Sequence, residues 1–237
     1  MFPAVDPGRK KQLAAFQKAA GIRFKSIELL NLSFIHRSAS NETGSRLNNE
    51  RLEFLGDSVL GMACATMLYR KYPEKTEGEL AKIKAVTVSE EVLSAVAKSV
   101  GIDSMLQLGK GEELSGGRGK KAILADALEA LIGALCLDSG YRPAFSFVSR
   151  CFSCEIDRVT ADDYHKDYKS LLQELCQRNF HCYPVYRLVK RSGPDHEHTF
   201  WIEVTAGGTA YGPGTGSNKK AAEQAAAKLA YKALDCV

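Results

Sequence analysis

The chain has 237 residues, of which 45% are hydrophobic and 25% are charged, and it carries a formal net charge of +4. This balance excludes a fibrous or intrinsically disordered chain, and the length suits one large or two modest globular domains. The first residues lack the apolar segment of a signal peptide, and the longest run without charged or strongly polar residues, about 59–69, is too short to cross a bilayer. We therefore expect a cytoplasmic protein with no membrane partner.

The seven cysteines are odd in number and scattered along the chain, which argues against a disulfide framework. Cys151 and Cys154 form a single CxxC pair. A zinc site there would need a second pair of ligands, and the candidates, His181 and Cys182, belong to a different predicted segment. Buried, reduced thiols are therefore the preferred interpretation.

The first 160 residues carry the apolar periodicity and the stop signals of helices almost throughout. The capping box from Thr76 to Glu79 starts one helix, and Pro73 ends the long helix before it. The glycine-rich segment GKGEELSGGRGKK, 109–121, is predicted to be a loop beside a site, because its spacing matches no nucleotide-binding fingerprint. The predicted helices cover 11–20, 26–34, 48–72, 76–101 (as one or two helices), 122–138 and 143–158.

The sequence changes character in the polar stretch TADDYHK, where we place a linker at 161–166. A helix is predicted at 167–179. It is followed by the strand-like runs YPVYRLVKR, HTFWIEVTA and GTAYGPG and by an alanine-rich helix that Ser217 is placed to cap. The predicted fold class is therefore multi-domain, with an all-α domain at 1–160 and a small α+β module of order α-β-β-β-α at 167–237.

Two of the predicted helices combine acidic residues with an apolar surround. In NNERLEFLGDS, 48–58, the side chains of Glu50, Glu53 and Asp57 share one helix face because they are spaced three and then four apart. In LADALEALIGAL, 124–135, Asp126 and Glu129 do the same, and that stretch has no Lys or Arg to neutralise them. One such pair is usually a solvated face, but two pairs brought together repel each other and lose hydration.

A divalent cation would remove this repulsion if the two helices face each other. Mg²⁺ prefers oxygen ligands, and a metal of this kind activates water for attack on a phosphodiester. No Cys or His joins these segments at metal-binding spacing, which argues against zinc. The predicted site consists of Glu53, Asp57, Asp126 and Glu129.

These motifs resemble those of the bacterial ribonuclease III family. NNERLEFLGDS is similar to the family signature, LADALEALIGAL to its second acidic segment, and IHRS (35–38) and GKGEE (109–113) also fit. The module at 167–237 resembles a double-stranded-RNA-binding domain. The resemblance spans nearly the whole chain and implies an endonuclease domain at 1–160 followed by that binding domain.

The resemblance further implies a Mg²⁺-dependent endoribonuclease, with Mn²⁺ as a possible substitute. It would cut double-stranded RNA to 5′-phosphate and 3′-hydroxyl ends with short 3′ overhangs, and process precursors of ribosomal RNA and some of transfer and messenger RNA. It implies Glu53, Asp126 and Glu129 as metal ligands, and Asp57 and Glu129 as the catalytic pair. It also implies a homodimer, with Glu50 and Phe54 at the subunit interface.

The C-terminal module offers three regions for contact with duplex RNA, whose minor groove and phosphates are the accessible features. His196 lies in a predicted loop, GPDHEH, that could reach a minor groove. Lys219 and Lys220 begin a helix whose positive end favours phosphates. Gln173 could bond to 2′-hydroxyls. A lysine pair alone is usually just a solvated helix start, and it is the order of elements that favours RNA binding.

Two other functions are consistent with parts of the sequence. A non-enzymatic scaffold for duplex RNA would share the C-terminal module, but it should lack one or more of the acidic residues, and this chain lacks none. A helical hydrolase of small phosphate esters would share the acidic residues, but it has no need of the module.

Overall fold

A computed structural model of the chain describes residues 5–161, 168–193 and 198–235. The chain divides into two compact units, Met1–Asp162 and Asp163–Val237. The predicted fold class is confirmed, since the first unit is helical and the second has three antiparallel strands between two helices. The predicted linker, 161–166, lies outside the described residues except for Ala161, which ends a helix, so the predicted domain boundaries stay a prediction.

The described part of the first unit contains ten α-helices. Their bounds are α1 Pro7–Ala20, α2 Ile27–Leu32, α3 Arg37–Thr43, α4 Glu50–Lys71, α5 Glu77–Thr87, α6 Glu90–Val100, α7 Ile102–Met105, α8 Lys110–Leu114, α9 Lys121–Ser139 and α10 Tyr141–Ala161. The predicted capping box is confirmed at the start of α5, where Glu79 N–H donates to Thr76 Oγ1 and Thr76 N–H donates to Glu79 Oε2, at 3.4 and 2.9 Å.

The prediction of a loop over 109–121 is wrong in part, because this segment contains α8 and a 3₁₀ turn at Gly117–Gly119. Arg118 holds the segment together. Its guanidinium donates to Glu113 Oε2 at 2.5 Å and to the carbonyl oxygen of Asp103 at 2.7 Å. One of these interactions is a local ion pair and the other depends on the fold, so the glycine content of the segment could not predict either of them. The short helices α3 and α7 were also not predicted, since each is too short to show a periodic pattern.

Helix α9 is the centre of the first unit, and eleven of its nineteen residues are buried. It crosses α4 so closely that the two backbones touch. A Cβ atom added at Gly56 of α4 would lie 1.8 Å from the carbonyl oxygen of Glu129, and one added at Gly133 of α9 would lie 2.2 Å from that of Leu52. Only glycine permits such an approach, because the side chains at a crossing set the distance between helices.

The second unit contains helix α11, the strands β1 to β3 and helix α12. Their bounds are α11 Tyr168–Phe180, β1 Val185–Ser192, β2 Thr199–Ala206, β3 Thr209–Gly216 and α12 Lys219–Asp235. The strands form an antiparallel sheet of order β1-β2-β3. Helix α12 packs directly on β3, since a Cβ atom at Gly214 would lie 2.1 Å from the backbone nitrogen of Ala226. The close packing of this helix on the strand therefore requires small residues on both sides, glycine on β3 and alanine on α12.

The prediction that Ser217 caps the last helix is wrong. The N-cap residue is Asn218, whose Oδ1 accepts a hydrogen bond from Ala221 N–H at 2.9 Å. Helix α12 begins one residue later than a cap at Ser217 requires. Both residue types are good N-caps, so propensity could not choose between them.

Two further features concern the described residues as a whole. No helix among them combines the length and the apolar character that a membrane crossing requires. The six cysteines in the described part of the chain are all free thiols.

Candidate metal centre and RNA-binding surface

The crossing of α4 and α9 brings three acidic side chains together. Glu53 on α4 and Asp126 and Glu129 on α9 each offer a carboxylate oxygen, and these oxygens lie within 4.8 Å of one another. The direct backbone contact at Gly56 explains this proximity, because Glu53 is one turn from the contact and Glu129 is part of it. We call these three residues the carboxylate cluster.

Asp57 and Glu50 lie beside the carboxylate cluster and not within it. Asp57 is exposed on the next turn of α4, yet its charge acts on Glu129. Glu50 is exposed at the start of α4, where it forms a long ion pair of 3.7 Å with Arg37.

Burial and nearby negative charges disfavour the charged form of all three cluster residues. Burial raises the pKa of Glu129 to about 7, together with the charges of Asp57, Glu53 and Asp126. Burial also raises the pKa of Glu53, with Asp126 as the next cause, and the pKa of Asp126, with Glu90 as the next cause. A bound cation would offset both effects.

The chemistry of the donors fits a hard divalent cation. Across the residues that the structure describes, this is the one group of three or more His, Cys, Asp or Glu side chains whose ligand atoms lie close enough to share an ion. All of its donors are carboxylate oxygens, which suit Mg²⁺ or Mn²⁺ better than zinc. The cluster can therefore hold a divalent metal ion.

Gly56 and Gly133 position the carboxylate cluster, a role that was not predicted from the sequence. Each stands inside one of the two acidic motifs, so the signal was present. Glycine within a helix costs about 1 kcal/mol relative to alanine, and its presence there indicates a close approach of another backbone. The two glycines lie far apart in the sequence, so the sequence could not predict that they lie at the same helix crossing.

The predicted RNA-binding residues of the second unit are exposed where the structure describes them. Gln173 on α11 lines a shallow recess with Gln177, Arg178 and Tyr183. Lys219 and Lys220 are exposed in the first turn of α12, where free backbone N–H groups and the helix dipole favour anions. His196 lies outside the described residues.

Phe54, the apolar residue that is predicted to lie at the subunit interface, has 79% of its surface exposed. It lines a largely apolar groove. The other apolar side chains of the groove are Leu29, Leu32, Leu47, Leu52, Leu55 and Leu137, and its polar side chains are Arg46, Asn48, Glu50 and Arg51. Leu137 is itself 61% exposed, so the face formed by Phe54 and this groove leaves a large apolar surface in contact with water.

Comparisons with known proteins match both units. A family described as Ribonuclease-III-like matches residues 26–155, and a double-stranded RNA binding motif matches residues 168–234. Ribonuclease 3 of Treponema denticola is 54% identical over 99% of this chain and 97% of its own length. Ribonuclease 3 of Treponema pallidum is 49% identical over 96% of this chain and 91% of its own length.

The solved nuclease domain of ribonuclease III from Campylobacter jejuni is similar to the first unit. It is 34% identical, with a TM-score of 0.57, and the match covers 61% of this chain and 96% of that domain. Fold, carboxylate cluster and comparisons thus define a helical nuclease joined to a double-stranded RNA binding motif. The chain belongs to the ribonuclease III family, and it is an endoribonuclease that acts on double-stranded RNA. The resemblance seen in the sequence is confirmed.

Proposed function

We propose that the protein is a Mg²⁺-dependent endoribonuclease that leaves 5′-phosphate and 3′-hydroxyl ends with short 3′ overhangs. Its substrates are precursors of ribosomal RNA and some precursors of transfer and messenger RNA, which it meets in the cytoplasm. The observation that carries the metal dependence is the carboxylate cluster, whose three oxygens lie within 4.8 Å of one another. Family membership supports the choice of products and substrates.

Glu53, Asp126 and Glu129 are the residues that would hold the cation, and Mn²⁺, which also takes oxygen ligands, can replace Mg²⁺. When bound, the cation supplies Lewis-acid chemistry, since it polarises a phosphoryl oxygen and lowers the pKa of a water molecule. Asp57 and Glu129 are the pair that we assign to catalysis. Asp57 stands at the exposed edge of the cluster, where an RNA strand can approach, and its carboxylate can orient the attacking water.

The binding module supplies affinity for duplex RNA. We assign phosphate contacts to Lys219 and Lys220, a 2′-hydroxyl contact to Gln173 and a minor-groove contact to His196. The exposure of Gln173 and of the two lysines supports this assignment.

The enzyme acts as a homodimer with Glu50 and Phe54 at the interface. In a twofold interface the same surface meets itself, so Phe54 of each copy can enter the apolar groove of the other. The exposed ring and the adjoining groove support this arrangement. A second solved structure of the Campylobacter jejuni nuclease domain, with a TM-score of 0.56, is described as structurally flexible in a region involved in dimer formation.

The proposed function is tested by incubating the purified protein with long duplex RNA, single-stranded RNA and duplex DNA, each with Mg²⁺ or with a chelator. We expect cleavage of duplex RNA alone, only with the metal, and ends that a ligase requiring 5′-phosphates accepts. Glu129→Gln is expected to bind duplex RNA like the parent and to leave it intact. Cleavage by this variant at the parental rate would overturn the site assignment.

A further inference from the structure

A cavity of about 480 Å³ opens beside the carboxylate cluster, and its walls carry both charges. Its acidic lining includes Glu53 and Asp126 of the cluster, together with Glu50. His36, Arg37 and Lys120 also line the cavity. These three nitrogen-bearing side chains belong neither to the cluster nor to the catalytic pair, although they stand next to the proposed centre of reaction.

The surroundings of His36 determine which ring nitrogen carries its proton. The backbone N–H of Ser38 can only donate, and it donates to Nδ1 of His36 at 3.3 Å. Gly109 N–H donates to Ser38 Oγ at 2.9 Å, which leaves the hydroxyl proton of Ser38 to point at His36 Nδ1, 2.8 Å away. Nδ1 is therefore an acceptor, and the proton of the neutral ring sits on Nε2. The cavity is thus lined by a histidine that has an N–H to donate.

Arg37 and Lys120 are held in place by weak or exchangeable partners. The guanidinium of Arg37 is 3.7 Å from Glu50, a long ion pair, and its side chain is 67% exposed. Lys120 Nζ donates to Glu112 Oε1 at 2.6 Å and to Ser115 Oγ at 3.1 Å, and 49% of the lysine side chain and 23% of the glutamate side chain are exposed. The charge of Arg37 acts on the carboxylate cluster, since it offsets part of the rise that burial and nearby negative charges cause in the pKa of Glu53 and of Asp126. Exposed pairs of this kind are worth little, so a stronger anion can displace the carboxylates.

The balance of charge in the cavity makes the binding of an anion depend on a bound cation. Besides Arg37 and Lys120, its lining contains four carboxylates, which are Glu50, Glu53, Glu112 and Asp126. The cavity is therefore acidic in the absence of metal and repels a phosphate. A divalent cation on the carboxylate cluster would cancel this excess, and a phosphate could then approach the two basic side chains.

We infer that this cavity is a phosphate subsite for the RNA strand being cut, formed by Arg37, Lys120 and the Nε2–H of His36, and that it accepts phosphate only after a divalent cation has bound. A guanidinium and an ammonium group pair with the phosphate charge, and the imidazole N–H donates to a phosphate oxygen. The inference rests on the proposed metal site and deepens it, because it names side chains that hold the substrate beside the metal.

The test measures binding of duplex RNA by the full-length protein, in Ca²⁺ and in a chelator, at several salt concentrations. Ca²⁺ takes the same oxygen ligands, and a gel verifies that the RNA stays intact. Arg37→Gln and Lys120→Gln are each expected to weaken binding about fivefold in Ca²⁺ and less than about twofold in chelator. Each should also lower the slope of log affinity against log salt by about one in Ca²⁺.

Three further variants separate a phosphate contact from a structural effect. Glu112→Gln breaks the ion pair of Lys120 but frees the lysine, so binding in Ca²⁺ should be equal to or stronger than that of the parent. His36→Asn keeps an N-cap acceptor for α3 and removes the imidazole N–H. This variant should bind RNA more weakly in Ca²⁺, and its unfolding temperature should equal that of the parent. Lys18→Gln, an exposed change on α1, should match the parent.

The subsite would be overturned if Arg37→Gln and Lys120→Gln weakened RNA binding equally with and without the cation. It would also be overturned if they weakened RNA binding no more than Lys18→Gln does. Weaker binding by Glu112→Gln would do the same. A parent protein that cannot cleave duplex RNA in Mg²⁺ would overturn the proposed function and the subsite together. A parent that cleaves, with variants that bind like it, would overturn the subsite alone.

Discussion

At the scale of a single residue, the neighbours of Glu129 determine how readily its carboxyl group loses a proton. Burial and three nearby carboxylates raise its pKa to about 7, so that near neutral pH it exchanges a proton readily. Repulsion of this kind destabilises the metal-free fold and is relieved by a cation. The site thus carries strain that metal binding removes.

Stability should therefore depend on pH through Glu129. The folded state keeps the proton up to about pH 7, whereas the unfolded chain loses it near the ordinary value of 4.5. Between these values the folded state binds more protons, so the free energy of unfolding falls as pH rises. We expect Glu129→Gln in chelator to be more stable than the parent at pH 8 by about 1 to 2 kcal/mol, after allowance for solvent screening.

Urea denaturation at pH 4.5 and pH 8 measures this difference, which should shrink at the lower pH. Glu74→Gln, at an exposed position outside the cluster, is the control. In excess Mg²⁺ at pH 8 the parent should become more stable than Glu129→Gln, since the cation stabilises only the protein that binds it well, which is the parent. A gain in stability that is the same at both pH values would contradict the electrostatic explanation.

At the scale of elements, the contact between α4 and α9 decides whether the carboxylate cluster exists. Gly56→Ala would place a methyl group 1.8 Å from a backbone oxygen, so the helices must separate. We expect a loss of about 3 kcal/mol or more in the free energy of unfolding. If the variant folds, its affinity for Mg²⁺, measured by calorimetry, should also fall.

Gly61 provides the matched control within the same helix. A Cβ atom added there meets nothing within 4 Å, so Gly61→Ala should leave stability unchanged or raise it by up to about 1 kcal/mol through helix propensity. Equal stabilities for the two alanine variants would show that the backbone contact does not exist in solution.

The first turn of α12 is the second element whose proposed role can be measured. If Lys219 and Lys220 each neutralise one phosphate, their joint change to alanine should lower the slope of log affinity against log salt by about one to two. The adjacent pair Lys10 and Lys11 on α1 is equally exposed and serves as a control with the same change of charge. A slope that both double variants lower equally would exclude a specific phosphate contact on α12.

At the scale of the whole molecule, the proposed homodimer depends on the exposed face around Phe54. A ring that is 79% exposed adds little to the stability of one chain, so its removal should act on association. We expect Phe54→Ala to shift the protein from dimer to monomer in sedimentation velocity, with an unfolding free energy per chain that is otherwise intact. Tyr69→Ala, a change at a 75% exposed position of the same helix outside the groove, should leave the dimer in place.

Much of this protein follows from its sequence. The spacing of Glu53 and Asp57, the capping box at Thr76 and the order of elements after residue 167 each depend on interactions within about four residues or on simple alternation. Local rules therefore predicted the fold class and which acidic residues share a helix face. They were insufficient where two residues of similar propensity compete, as at Ser217 and Asn218, and for the short helix α8, which Arg118 stabilises from outside.

Only the tertiary structure could bring Glu53 within 4.8 Å of Glu129, raise the pKa of Glu129 and place His36 and Lys120 beside the same cavity. These properties depend on groups that lie tens of residues apart in the chain. Burial and Coulomb interactions act through space, so a pattern along the sequence can name the charged residues but cannot determine how strongly they act on one another.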